Sequence, residues 1–249
     1  MNFKRVHAES HPLTALFRGA AYNDASTVPV LASTGKISWT YNWAVSSNGI
    51  TGVEFVPMIW GPRPSEADLT QIDSAVRNGS THILGLNEPD LHEQAAMSPS
   101  DAAYAYRRYI TPFVDRAQLV SPAVSNGDQK GIGLDWMGKF LDLCSDCQIS
   151  VMAVHWYGDS AESFKQYIMR SQEFAAQYGL AELWVTEFAL NRDVNGIFPD
   201  FESSVEFLGQ VLPWLDQRCG VARYSYFMSA NRFLLDGASL SQAGQAYVA

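Results

Sequence analysis

The feature that most constrains this chain is the alternation of extended apolar segments with amphipathic helical stretches. Eight segments read as β-strands: FRGAAYN (17–23), ISWTYNW (37–43), EFVPMIW (54–60), HILGLNE (82–88), QLVSPAV (118–124), ISVMAVHWY (149–157), ELWVTEFAL (182–190) and VARYSYFM (221–228). From the third onward the gaps carry helical patterns: SEADLTQIDSAVRNG, SPSDAAYAYRRYITPFVDR, LDWMGKFLDLC, SFKQYIMRSQEFAAQYG and FESSVEFLGQVLPWLDQR. Several open on a Ser or Asp cap and two close on Gly, as helix boundaries do. Near-continuously apolar strands are buried on both faces, the mark of a parallel sheet covered by helices. The pattern therefore predicts an α/β fold, a (β/α)8 TIM barrel, whose ordinary length of about 250 residues suits one domain over 1–249. Connections 24–36 and 44–53 barely reach the dozen residues a crossover needs, so the helices after the first two strands should be missing or reduced.

In such a barrel the reactive groups sit at the C-terminal ends of the strands. Strand 4 ends on Asn87 and Glu88, strand 6 on His155, Trp156 and Tyr157, strand 7 on Thr186 and Glu187, and strand 8 on Tyr226 and Phe227. Strands 4 and 7 stand three apart in a ring of eight, which sets Glu88 and Glu187 across the mouth from one another. Two opposed carboxylates among Tyr, His and Trp are what glycoside hydrolysis requires, one protonated for the leaving oxygen and one ionised for the anomeric carbon. Singly, each glutamate reads more simply as a solvated or capping residue; the pair points to chemistry. His155 reads either as a site residue or as a satisfied core histidine, and Tyr226 either as a site residue or as barrel filling. Trp43, Trp60 and Trp156 lie at strand ends, where a flat ring either stacks on a sugar or packs. Trp39 and Trp184 follow the apolar alternation and read as core. SNGDQKGIG (125–133) reads as a loop at the barrel mouth.

The net charge of −9, with 17 Lys plus Arg and no basic run, makes phosphate backbones and anionic lipid poor partners. A neutral substrate fits better, and no nucleic-acid or membrane partner is expected. No segment reaches the ~18 apolar residues of a membrane span, and MNFKRVHAES lacks the apolar run of a signal peptide. The expectation is a soluble monomer, either cytosolic or a mature domain with an added initiator Met. Cys144 and Cys147 have zinc-ligand spacing, but a structural zinc site takes four ligands and Cys219 is the one further cysteine. His155, eight residues on along a strand, would lie roughly 20 Å away. No metal and no other cofactor is expected, and CSDC reads as a local disulfide or two idle thiols.

FRGAAYN, SWTYNW, FVPMIWG, GLNEPD, AVHWYG, WVTEFA and ARYSYF, in this order, resemble glycoside hydrolase family 128, the alkali-sensitive-linkage-like glycosyl hydrolases of fungi and bacteria. The resemblance runs from about Arg18 to Phe227. It implies a retaining β-1,3-glucanase with Glu88 as acid/base and Glu187 as nucleophile. It further implies that Asn87 bonds the sugar 2-hydroxyl, and that His155, Tyr157 and Tyr226 order the carboxylates or the sugar. Fungal members are often secreted or directed to the cell wall, which would make the CxxC pair a disulfide and Asn78-Gly79-Ser80 a usable glycosylation site. Two rival readings are a β-1,4-glycanase on the same strand arrangement and a β-1,3-glucan-binding protein with little turnover. A lectin, however, has no need of two opposed glutamates.

Overall fold

The structure, a computed structural model, describes residues 17–196 and 201–249; the N-terminal stretch read for a leader lies outside them. All eight expected strands are present. β1 (Gly19–Ala21), β2 (Trp39–Tyr41) and β3 (Glu54–Phe55) form one parallel sheet, and β4 (His82–Ile83), β5 (Gln118–Val124), β6 (Ile149–Gly158), β7 (Glu182–Leu190) and β8 (Val221–Tyr226) form a second. Isolated parallel bridges join Met58 to Leu84 and Arg18 to Tyr224, so each edge of one sheet meets an edge of the other. The result is an α/β fold around a curled parallel sheet.

Helices follow the last strands as the periodicity predicts. α2 (Glu66–Arg77) comes after β3, α3 (Pro99–Tyr109) after β4, α4 (Gly133–Leu143) after β5, α5 (Ala161–Gln177) after β6 and α7 (Phe201–Asp216) after β7. Ser65 caps α2 in a reciprocal capping box with Asp68, and Ser98 and Ser160 cap α3 and α5, each satisfying an otherwise orphaned N–H. Between β1 and β2 there is only a 3-10 turn (Ala25–Thr27) and the single-turn α1 (Val28–Ala32). No helix separates β2 from β3. The expectation of reduced first crossovers holds. Three elements were not anticipated: the short α6 (Asn191–Asn195), the hairpin β9 (Leu235–Asp236) and β10 (Ser239–Leu240), and the terminal α8 (Gln242–Tyr247).

Side-chain alternation divides the sheet into two buried faces. Trp39, Tyr41, Met58, Leu84, Val151, Ala153 and Trp184 fill the concave side. Ile83, Leu119, Met152, Val154, Val185 and Phe188 pack outward against the helices. Trp39 and Trp184 meet at 5.1 Å between ring centroids, as their core reading required. Beneath them Arg223 lies 4.5 Å from the Trp184 ring and pairs with Glu54 at 2.7 Å, closing the N-terminal end of the strands. Glu88 and Glu187 lie toward the opposite, C-terminal end.

Cys144 and Cys147 are joined in a disulfide at the end of α4, and Cys219 is free and exposed. Asn78 is exposed at the C-cap of α2, while the Ser80 hydroxyl is buried and donates to the Phe55 carbonyl. Among the described residues no helix is long and apolar enough to cross a membrane.

Candidate active site

Glu88 reaches the mouth through an irregular strand. Pro122 in β5 has no N–H to give, so the β4–β5 ladder lapses there and regular pairing in β4 stops at Ile83. At Gly85 the strands approach so closely that a Cβ would stand 2.8 Å from the Ser121 and Pro122 backbone, which only glycine permits. Pairing resumes beyond, with Ala123 N–H donating to Leu86 O at 2.9 Å and Glu88 N–H to Ala123 O at 2.8 Å. Glu88 itself has φ +40°, a left-handed conformation that a side chain of this size adopts at a cost of about 1–3 kcal/mol, a feature that clusters at functional sites.

Glu187 is aimed by a different device. Val154 pairs with Val185 but His155 pairs with Glu187, so one step along β6 spans two along β7. On the other edge, Val185 to Phe188 on β7 spans only Tyr224 to Tyr226 on β8. Thr186 is thus an extra, bulged residue. Counting in twos from inward-facing Trp184 would send Glu187 out to the helices. The bulge restores it to the concave side and turns Phe188 outward.

β6 has regular parity, so His155 and Tyr157 share the concave side with both carboxylates. His155 Nδ1 lies 2.9 Å from Glu88 Oε1 and 3.4 Å from Glu187 Oε2, and therefore carries the proton that bridges them. Its buried Nε2 has no hydrogen-bond partner among the described residues. The Tyr157 hydroxyl donates to Glu187 Oε2 at 2.5 Å and the Trp43 indole donates to Glu187 Oε1 at 2.6 Å. Every hydrogen-bond partner of Glu187 among the described residues is thus a donor, and these bonds by themselves favour its ionised form. Burial and the Glu88 charge raise the Glu187 carboxyl above its ordinary range, against the pull of His155, Tyr157 and Trp43. Burial works to lower His155, but Glu187 and Glu88 outweigh it and leave the imidazole raised. Burial and the adjoining Glu187 hold the Tyr157 phenol far above its usual range, so it stays a donor.

Ligand atoms of Glu88, His155 and Glu187 all lie within 4.8 Å of one another, the distance at which three such groups could hold a metal ion. Each Glu187 oxygen, however, already accepts a bond from a neutral donor that a cation would displace.

Glu88, Glu187 and Tyr157 line a cleft of about 570 Å³, with Trp43, Trp60 and Asn87 at its sides, while His155 lies buried behind them. Asn87 is buried, with Nδ2 donating to Gln94 Oε1 at 3.2 Å and with Oδ1 unpartnered among the described residues. Trp60 is 38% exposed, which leaves a flat ring at the rim. Two expected site residues lie elsewhere. Trp156 is buried against Phe207 in parallel stacking at 5.6 Å, because it has the opposite parity to His155 and Tyr157 and faces the helices. Tyr226 likewise points outward with Tyr224, and its hydroxyl donates to Asp193 at 2.6 Å rather than approaching either carboxylate. The mouth position on that side belongs to Phe227. Asn23, Gln94, Asn191, Val194 and Asn195 also line the cleft; the first two come from loops and the last three from the single-turn α6, neither of which any periodicity marks.

A curled parallel α/β sheet with two buried carboxylates bridged by a histidine at its C-terminal end defines a class, the two-carboxylate hydrolases built on parallel strands. The chain belongs to the glycosyl hydrolase catalytic core family, whose model matches residues 19–247. It is 33% identical to alkali-sensitive linkage protein 1 of Schizosaccharomyces pombe over 85% of this chain, and spans only 40% of that relative. Among solved structures it is similar to a curdlan-specific exo-β-1,3-glucanase of glycoside hydrolase family 128, subgroup III, from Blastomyces gilchristii, in complex with glucose. That match has 42% identity and a TM-score of 0.85, covering 92% of this chain and 96% of that one. A subgroup I endo-β-1,3-glucanase from Amycolatopsis mediterranei, in complex with laminaritriose, matches at 27% identity and TM-score 0.78 over 94% and 98%. The resemblance to family 128 drawn from the seven motifs is borne out.

Proposed function

We propose that this chain is a retaining β-1,3-glucanase, with Glu187 as nucleophile, Glu88 as acid/base, and the eight strands counted as one (β/α)8 barrel joined at its two bridged seams. The observation that carries the chemistry is the approach of the Glu88 and Glu187 oxygens to within 4.8 Å. Retaining enzymes hold their carboxyl groups about 5–5.5 Å apart, whereas inverting enzymes leave about 6.5–9.5 Å for a water. The substrate class is supported by the family 128 relatives, one holding glucose and one laminaritriose.

In the first step Glu187 attacks the anomeric carbon while Glu88 gives its proton to the departing glycosidic oxygen. Trp43 and Tyr157 hold the attacking carboxylate, and their bonds lengthen as its charge passes to the new ester. In the second step Glu88, now ionised, draws a proton from water, which attacks the glycosyl-enzyme. The His155 Nδ1 proton stays between the carboxylates and shifts toward whichever is charged. On this reading the Asn87 amide meets the sugar 2-hydroxyl and the exposed Trp60 ring stacks on a sugar; their place in the cleft lining supports both roles. A setting outside the cell or in its wall is our reading of the Cys144–Cys147 bond.

Initial-rate product analysis on laminarin, cello-oligosaccharides and xylan tests this. Laminarin should be cleaved at least about tenfold faster than the β-1,4 substrates, and NMR should show the β-anomer released first. Equal or reversed rates would make the chain a β-1,4-glycanase; binding without turnover would make it a glucan-binding protein.

A further inference from the structure

β6 outruns its neighbour on one side. β5 ends at Val124, which pairs with Val154, while β6 continues to Gly158. On its other edge β6 remains laddered, Tyr157 pairing with Ala189. On the β5 edge the Tyr157 backbone would be left without a strand partner. The Asn126 carboxamide takes that place: Tyr157 N–H donates to Asn126 Oδ1 at 3.0 Å and Asn126 Nδ2 donates to the Tyr157 carbonyl at 3.0 Å. One side chain thus supplies both halves of a ladder rung to the residue whose phenol holds Glu187.

The loop that carries Asn126 is pinned in turn. Ser125 Oγ donates to Asp90 Oδ2 at 2.6 Å, Gly133 N–H donates to the same oxygen at 2.9 Å, and the Tyr167 hydroxyl donates to the Ser125 carbonyl at 3.1 Å. Asp90 is buried two residues beyond Glu88. A single hydrogen-bonded path therefore runs from the Glu88 loop through Asp90, Ser125, Asn126 and Tyr157 to Glu187.

We propose that Asn126 is a positioning residue, setting the Tyr157 phenol on Glu187 and, through Asp90, fixing it relative to Glu88. This rests on the two-carboxylate reading of the site. The groups facing Glu187 are His155 and Tyr157 from β6, Glu88 from the β4 end, Tyr41 from β2 and the Trp43 indole. Of these, Asn126→Ala frees only Tyr157, so the Glu187 carboxyl should lose a donor to its ionised form and titrate higher.

The test is a titration of the Glu187 side-chain carboxyl by carbon-13 NMR in the wild type, Asn126→Ala, Tyr157→Phe and the double variant. Both single variants should move it upward, and the double variant should move it no further than Tyr157→Phe. The acid limb of kcat/KM on laminarin should follow in the same order, with kcat falling more than KM rises. An unmoved titration in Asn126→Ala, or a double variant showing the sum of the two shifts, would reduce Asn126 to a loop-packing residue. Should Asn126→Ala fail to fold, Asn126→Ser, which suits a turn but is too short to make both bonds, takes its place in the cycle. A wild type inert on laminarin would sink the glucanase reading, while the NMR titration would still decide the Asn126 inference.

Discussion

The Trp43 indole donates to Glu187 at 2.6 Å across the mouth of the sheet, from the end of β2 to the end of β7. Trp43 can do so because its backbone turns into the left-handed region, φ +57°, just after β2 and at the start of the helix-free connection to β3. The ring is thus fixed at its N–H end by the carboxylate and at its edge by Tyr41 and Phe227, at 5.1 and 5.8 Å between centroids. On the proposed mechanism its first task is to hold the Glu187 carboxylate, with stacking on a sugar secondary.

Replacing Trp43 with Phe keeps a ring and removes the donor. A hydrogen bond to a charged group is worth about 1.5–3 kcal/mol, so kcat on laminarin should fall roughly 10- to 100-fold. With a donor lost from the ionised form, the Glu187 carboxyl rises and the acid limb of kcat/KM moves to higher pH. A pH–rate profile checks this. A variant with raised KM and an unmoved acid limb would return Trp43 to a stacking role.

Trp156 should behave in the opposite way. Buried between Phe164 and Phe207, it meets no substrate, and Trp156→Ala should cost about 3–5 kcal/mol of folding stability. Denaturant melts would show that loss, while oligosaccharide affinity of the folded fraction, measured by calorimetry, should match the wild type. Weakened affinity with unchanged stability would place the ring in the cleft after all.

What the sequence revealed, and what it concealed, divides along parity. Strand positions, their order and the reduced first crossovers could be read from apolar runs and connection lengths, because those record burial directly. His155 and Tyr157 were readable as a same-face pair for the same reason. Trp156 and Tyr226 stand near strand ends but on the parity that faces the helices, so nearness to the mouth misleads where the count of two does not. Glu187 was placed correctly although that count opposes it: the Thr186 bulge has no signature in WVTEFAL, and only the motif as a whole carried the assignment. Trp43 as a donor, and Asn126 as a substitute rung, depend on backbone turns and loop closure that no periodicity encodes.

His82 supplies a pH-dependent contribution far from the chemistry. Burial beside Trp184, with the Arg223 charge adding to it, lowers the imidazole from 6.5 to about 4. Between those values the unfolded chain binds a proton that the folded chain refuses, so the contribution is whole above pH 6.5 and drains away as pH falls toward 4. The shift corresponds to about 3 kcal/mol. Guanidinium melts at pH 7 and 4.5 should therefore converge for His82→Gln relative to the wild type. Parallel losses in both proteins would show that His82 does not titrate in this window.

The two glutamates can be told apart by what replaces them. Removing either carboxyl should abolish laminarin hydrolysis, since one leaves the glycosidic oxygen without a proton and the other leaves the anomeric carbon without an attacker. An aryl β-glycoside with a good leaving group needs no acid, so Glu88→Ala should still form the glycosyl-enzyme on Glu187. Azide entering the vacated acid side then attacks that ester and yields the β-azide. In Glu187→Ala the empty space lies on the opposite face, where Trp43 and Tyr157 still present their donors; azide bound there attacks directly and yields the α-azide. NMR of the products assigns the roles: swapped anomers would exchange Glu88 and Glu187, and first release of the α-anomer by the wild type would make the enzyme inverting despite the 4.8 Å approach of its carboxylates.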